Sequence, residues 1–364
     1  MPLKPACSFA AGWLLAGCAT HVNPYYDPAK PHHTPEGFRN NHIAQVDKSF
    51  SDLVKWRIEA MREGVPKPPH EATPVAVPEL ARLQANRSEA SVTWIGHATA
   101  LVQCGGLNVL TDPVFSERAS PLAFAGPKRA QPPGIAIADL PAIDVIVISH
   151  NHYDHLDVDS VRQLSDRSQG RTLILVPLGL KPYLEQRGVR NVEEIDWWDQ
   201  RIVGGVEFRL VPVQHWSARA LGDRNETLWG GWAVFAPGLR WYFSGDTGYS
   251  RDFADTRARL ADHESAGVLF DVALLAIGAY EPRWFMKDQH MNPAEAVQAH
   301  KDLGARRSIG IHWGTFQLTD ESLDTPPRDL AIARDPMHVP ASDFFVLKIG
   351  ETRWFPARRD EIGK

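Results

Sequence analysis

The chain has 364 residues, 43% of them hydrophobic and 23% charged, with a formal net charge of −5 at pH 7. That length suits one large or two ordinary domains, and the balance is that of a globular protein. An acidic chain with no basic stripe argues against nucleic acid as partner, because phosphate backbones recruit Lys and Arg. No apolar run approaches the ~20 residues that a membrane-spanning helix needs.

The first residues differ from the rest. A single positive charge at Lys4 precedes a short apolar stretch over residues 9–15, and Leu15-Ala16-Gly17-Cys18 follows. A basic start, an apolar middle and a small-residue end read as a secretory signal. The Leu-Ala-Gly-Cys ending resembles the bacterial lipoprotein signal. That resemblance implies lipidation of Cys18 and membrane attachment through it, with Ala19 next in line pointing to the outer membrane, facing the periplasm. Residues 1–18 are therefore expected as a signal peptide, residues 19–39 as a polar, proline-bearing tether and residues 40–364 as one folded domain. Cys104 would be the cysteine left in the mature body, which precludes an internal disulfide.

Residues 49–63 read as a helix, since Leu53, Trp56, Ala60 and Met61 recur at the spacing of a core-facing stripe. Residues 66–78 are too rich in proline for a regular element. Strands and turns alternate after that. Residues 91–95 and 100–103 are strand-like, and Gly105-Gly106 is a hairpin turn into residues 107–111. Residues 144–149 form a β-branched apolar run, the mark of a strand buried on both faces. Residues 172–176, 206–213, 241–244, 272–277 and 307–311 repeat it. Helices are expected at 158–166, 180–186 and 293–303, the last with Pro293 in its first turn behind Asn292 as cap. A final strand is expected at 344–349. Buried strands with interspersed helices imply stacked sheets covered by helices.

Chemistry concentrates in Ser149-His150-Asn151-His152-Tyr153-Asp154-His155, directly after a buried strand. A rigid sheet there presents a loop with four potential ligands. His215 follows Leu210-Val211-Pro212-Val213, Asp246 follows Trp241-Tyr242-Phe243-Ser244-Gly245, and His312 follows Ser308-Ile309-Gly310-Ile311. Ligands at the ends of different strands can converge on one rim. Two sites result: His150, His152 and His215 on one metal, Asp154, His155 and His312 on the other, with Asp246 bridging. Imidazole and carboxylate suit zinc, and also iron or manganese. His97, His263, His300 and His338 are read as structural or surface histidines.

The His-x-His-x-Asp-His spacing, with later His, Asp and His after strands, is similar to the pattern of the metallo-β-lactamase superfamily. Further segments resemble the N-acylphosphatidylethanolamine-hydrolysing phospholipase D family. They are Thr93-Trp94-Ile95-Gly96-His97-Ala98-Thr99, Leu110-Thr111-Asp112-Pro113-Val114-Phe115, and Gly278-Ala279-Tyr280-Glu281-Pro282-Arg283-Trp284-Phe285-Met286-Lys287. Gln289-His290, Pro293-Ala294-Glu295-Ala296-Val297 and Ile311-His312-Trp313-Gly314-Thr315-Phe316 extend the likeness over nearly all of the mature chain. The resemblance implies an α+β fold of αββα type, two mixed sheets face to face flanked by helices, and a pair of zinc ions. It also implies that Tyr153 and His290 help hold substrate.

The implied reaction is phospholipase D hydrolysis of N-acylphosphatidylethanolamine, or a related phospholipid, to N-acylethanolamine and phosphatidate. Asp154 would orient the nucleophile as well as bind metal. The rival enzymes are a lactonase or a phosphodiesterase for soluble substrates. A lipid enzyme should carry an apolar groove beside the metals, a lactonase a small polar pocket. A non-enzymatic outer-membrane lipoprotein would have no need of all seven ligands.

Overall fold

The computed structural model describes residues 22–43, 46, 48–220 and 222–356. The expected signal peptide, residues 1–18, and Cys18 within it lie outside them. Among the described residues no helix is long and apolar enough to cross a membrane.

A small hairpin, β1 (His33–Thr34) and β2 (Gly37–Phe38), precedes α1 (Phe50–Glu63) and α2 (Leu80–Ala85). The first large sheet then forms from β3 (Ala90–Gly96), β4 (Thr99–Cys104), β5 (Leu107–Thr111), β6 (Val145–Val147), β7 (Leu173–Pro177) and β8 (Val192–Ile195). Between its later strands run α3 (Val158–Arg167) and α4 (Leu180–Glu185). The second sheet collects β9 (Gln200–Val203), β10 (Val206–Val211), β11 (Gly231–Ala236), β12 (Leu239–Phe243), β13 (Val272–Ala276), β14 (Ser308–Ile311) and β15 (Phe344–Val346). Its helices are α5 (Asp252–Arg259), α6 (Arg283–Met286), α7 (Pro293–Asp302) and α8 (Thr325–Arg334). The last strand, β16 (Thr352–Phe355), returns to pair antiparallel with β3 at the edge of the first sheet.

Each sheet has seven strands, in the orders β16-β3-β4-β5-β6-β7-β8 and β15-β14-β13-β12-β11-β10-β9. Both are mixed. Pairing is parallel from β5 to β8 and from β12 to β15, and antiparallel elsewhere. The period of two along the strands builds the sandwich. Trp94, Val102, Val145 and Val147 face the second sheet's Phe208, Trp232, Trp241 and Leu274 in one core. Their neighbours Ile95, Leu101 and Ile146 point outward, where Leu83 of α2, Val161 of α3 and Leu184 of α4 cover them. Val297 of α7 and Leu330 of α8 pack against the second sheet. The fold is therefore αββα, as the family resemblance implied. A buried indole needs a partner for its N–H, and Trp232 donates from the second sheet to the Ile148 carbonyl at 2.9 Å, tying the sheets together just before the His150 loop.

Two expectations need correction. Residues 22–39, within the expected tether, are packed onto the body. His32 and His33 contact Asp196 at 2.8 and 3.0 Å, Lys30 reaches the same carboxylate at 2.5 Å, and the His32 ring stacks on Trp197. Their partners lie more than 160 positions away in sequence, which is why the segment reads locally as a linker. The helix at 50–63 is the second case. Ser49 caps it in a reciprocal box with Asp52, and Trp56 and Ala60 are buried, but Leu53 is 39% and Met61 72% exposed. Its stripe is thus only partly turned to a core.

Candidate metal centre

Every ligand candidate sits where a strand ends on one rim of the sandwich. The loop after β6 carries His150, His152, Asp154 and His155; the segments after β10, β12 and β14 carry His215, Asp246 and His312. Two glycines let these ends approach. A Cβ on Gly245 would lie 2.5 Å from the Ser149 Cβ, and one on Gly278 would overlap the His312 carbonyl. His97, Asp112 and His312 hold positive φ of 52°, 31° and 63°, conformations that side chains other than glycine adopt only where surrounding structure enforces them.

The seven candidates converge as two clusters. In the first, His150 Nε2 lies 2.8 Å and His215 Nε2 3.2 Å from His152 Nδ1, and both Nε2 atoms lie 4.0 Å from Asp246 Oδ2. In the second, Asp154 Oδ2 is 3.3 Å from His312 Nε2 and 3.6 Å from His155 Nε2. Asp246 reaches this cluster too, with Oδ2 3.1 Å from His155 and Oδ1 3.0 Å from His312. Outer partners fix the rings. His155 Nδ1 contacts Asp112 at 2.6 Å, His215 Nδ1 the Gln289 carbonyl at 3.0 Å and His150 Nδ1 the Ser149 hydroxyl at 2.9 Å, so the other nitrogens of all three turn inward.

Electrostatics separates the clusters. Burial, with imidazoles crowded together, holds His150 and His215 well below the usual histidine range, and burial brings His152 down to about 4. Burial also opposes charge on His155 and His312, yet the carboxylates of Asp246 and Asp154 outweigh it. His155 is raised well above its usual value and His312 to about 9. The first cluster therefore presents neutral lone pairs, and the second holds protons that a metal would displace.

Residues 107–313 match the family described as Beta-lactamase superfamily domain. The chain belongs to the metallo-β-lactamase superfamily. An uncharacterized protein of Mycobacterium tuberculosis is 42% identical over 299 residues, which is 81% of this chain and 76% of that one. N-acyl-phosphatidylethanolamine-hydrolyzing phospholipase D 1 of Caenorhabditis elegans is 44% identical, over 65% of this chain and 67% of its own length. Among solved structures, isothiocyanate hydrolase from Delia radicum gut bacteria aligns with a TM-score of 0.56 at 19% identity, covering 74% of this chain and all of that one. The metallo hydrolase Igni18 of Ignicoccus hospitalis aligns at 0.54 with the same identity and coverage. Both structures show the fold alone.

This metallo-β-lactamase superfamily chain is a metallo-hydrolase, and its clusters fit metal. His155 Nε2 and Asp246 Oδ1, both within the clusters, are buried without a well-formed hydrogen bond, a state that buried polar atoms avoid unless something else satisfies them. His97, read from sequence as a bystander, belongs to the centre. Its Nε2 lies 3.0 Å from Asp154 Oδ2, and its ring packs 4.0 Å from that of His312. It follows β3 on the same rim as the other candidates, as Asp112 follows β5. That shared position was the signal for both. His300, by contrast, bonds the Ser308 hydroxyl at 2.8 Å, and His263 stacks on Phe235.

The two residues expected to hold substrate separate. His290 lines a groove beside the clusters, its Nδ1 3.8 Å from Asp246 Oδ2 and without a hydrogen bond. Tyr153 turns the other way. Its hydroxyl donates to the Arg219 carbonyl at 3.0 Å, the Arg219 guanidinium covers its ring at 3.9 Å, and it lines a separate cavity. The structure therefore gives Tyr153 a place behind the metal loop rather than in the groove.

Proposed function

We propose that the chain is a phospholipase D-type hydrolase of N-acylphosphatidylethanolamine or a closely related phospholipid, using two divalent ions, with zinc the favoured metal. The groove is the observation that carries this reading. It encloses about 640 Å³ and runs from His152, Asp154, Asp246 and His290 out between α1 and α6. Phe50, Leu53, Trp56, Trp216, Phe285 and Met286 line it. A small polar substrate would gain nothing from such walls, whereas acyl chains would bury against them. The Caenorhabditis elegans relative, named for hydrolysis of this lipid, supports the same substrate class.

His150, His152 and His215 would hold one ion, Asp154, His155 and His312 the other, with Asp246 shared and His97 steadying Asp154. Ions held there supply Lewis-acid stabilisation of phosphate oxygens and water activation for in-line attack at phosphorus. The net reaction adds water across the P–O bond on the head-group side, hydroxyl to phosphorus and proton to the departing ethanolamine oxygen. Burial brings His290 down to about 4. It is therefore neutral at physiological pH and suited to donate an N–H to a phosphate oxygen. Asp154 orients the attacking oxygen. The α1 and α6 side chains keep bulk water from the reacting centre and align the lipid along the groove. Anchoring through Cys18 would hold the enzyme at the surface that supplies such a lipid.

Chain length tests the groove. Each methylene buried is worth ~0.8 kcal/mol, so kcat/KM should climb by up to roughly fourfold per CH₂ until the groove is filled. Leu53→Arg should flatten that rise. A wild-type profile independent of acyl length contradicts a lipid groove.

A further inference from the structure

The wall behind the metal loop has a second side. Along residues 152–157, His152 and Asp154 face the groove, while Tyr153, Leu156 and Asp157 line another cavity of about 620 Å³. The facing segment alternates in the same way, with Ala218 and Ala220 on the groove and Arg219 on the cavity. The two spaces thus share one partition, and that partition carries metal ligands.

The second cavity is lined by Arg118, Arg162, Arg187 and Arg219, in a chain whose formal net charge is −5. Acidic side chains are present but engaged. Asp159 pairs with Arg162 at 2.8 Å and Glu117 with Lys128 at 2.8 Å, and Asp157 accepts from the Ser116 N–H and the Ser160 hydroxyl. Among the described residues no carboxylate lies within ion-pair distance of Arg118, Arg187 or Arg219. Backbone carbonyls and rings hold them instead. Arg118 donates to the Gly126 carbonyl at 2.7 Å, and Arg187 donates to the Tyr183 carbonyl at 2.9 Å and covers that residue's ring. Each guanidinium has five N–H donors in a planar fork matched to phosphate oxygens. With Lys128, Arg118 helps hold the neighbouring Glu117 carboxyl below its usual range without pairing with it, and the four arginines still outnumber Glu117, Asp157 and Asp159 in the lining.

We infer that this arginine-lined cavity is a second anion site, distinct from the metal centre, which takes a phosphate group. The occupant is a free phosphate ester or the phosphate of a lipid headgroup. Arg219 would report its presence to the centre. The Nη1 of that guanidinium donates to the Asn151 carbonyl at 2.6 Å and the Leu156 carbonyl at 2.9 Å, the two flanks of the ligand-bearing loop. An anion drawing on Arg219 therefore pulls on the backbone that sets His152, Asp154 and His155. The inference stands whichever substrate fills the groove.

Inorganic phosphate binding to the metal-loaded full chain tests it by titration calorimetry. Wild type should show two classes of site, and Arg118→Gln/Arg187→Gln should weaken one of them at least tenfold while metal content is unchanged. Arg118→Lys/Arg187→Lys should retain much of that binding. A glutamine variant with the wild-type isotherm overturns the proposal. Phenylglyoxal labelling of unmutated protein gives a second reading, because phosphate should protect Arg118 and Arg187 in peptide mass maps. Absence of protection also overturns the site. Vesicles of phosphatidylglycerol in phosphatidylcholine separate the sources. Displacement of phosphate from the arginine site by these vesicles, but not by phosphatidylcholine alone, assigns the lipid headgroup, and no displacement by either assigns the free ester.

Discussion

Asp246 Oδ2 lies 3.1 Å from His155 Nε2, so the carboxylate that faces the His150–His152–His215 cluster is also in contact with the other one. A single acidic group thus belongs to both halves of the centre. Purified wild type should carry about two metal equivalents by elemental analysis, as two ligand sets sharing one carboxylate require. Asp246→Ala should lose most of both. Full occupancy in that variant would contradict a shared ligand.

His290 stands at the groove with no hydrogen bond to its Nδ1. His290→Ala should keep its metals and lose activity. A hydrogen bond to a charged phosphate is worth about 1.5–3 kcal/mol, so kcat/KM should fall roughly ten- to hundredfold. Loss of metal in parallel with activity would make His290 a ligand rather than a substrate contact.

Asp196 clasps the N-terminal arm through Lys30, His32 and His33. Burial disfavours its charge, yet hydrogen bonds from His32 and Lys30 prevail and hold its carboxyl below the usual carboxylate range. A lowered folded value contributes stability that is fully present above the unfolded value of about 3.9 and is lost as pH falls from there through the folded value. Asp196→Asn should cost about 1–3 kcal/mol near neutral pH. The gap in Tm between variant and wild type should narrow below about pH 4. An equal gap at both pH values would separate the clasp from the ionisation of Asp196.

The sandwich and its rim were legible because buried strands announce themselves by β-branched apolar runs, and His or Asp at their ends stands out. Elements whose reason lies far away in sequence were not. β9, Gln-Arg-Ile-Val, is missed for another reason: it is an exposed edge strand without an apolar run, although its partner β10 follows directly across Gly204-Gly205. β16 exists because it returns to β3 after some 260 positions. The arm looked like a tether until Asp196 supplied its partner. Asn40 does the same for the centre, exchanging two hydrogen bonds with the His215 backbone at 2.9 and 3.0 Å. His97 and Tyr153 exchanged roles for a related reason. Sequence puts Tyr153 in the metal loop and leaves His97 as a bystander, and only the fold says that Tyr153 faces away from the groove while His97 meets Asp154.

Cys18 lies outside the described residues, and the proposal that it is lipidated rests on Leu15-Ala16-Gly17-Cys18. Acyl chains bury about 0.8 kcal/mol per CH₂, so several of them hold a protein firmly to a bilayer. Cys18→Ser should release the chain from the detergent-requiring membrane fraction. Unchanged fractionation would refute the anchor.

The central claim is chemical, and product mass tests it most directly. Metal-loaded protein is incubated with N-acylphosphatidylethanolamine in ¹⁸O-water, alongside lactones and soluble phosphodiesters. The account predicts phosphatidate carrying the heavy oxygen on its phosphate and N-acylethanolamine free of it, because water attacks phosphorus and the alcohol leaves with its own oxygen. No phosphatidate from the lipid, together with ready opening of lactones or cleavage of soluble diesters, would contradict it.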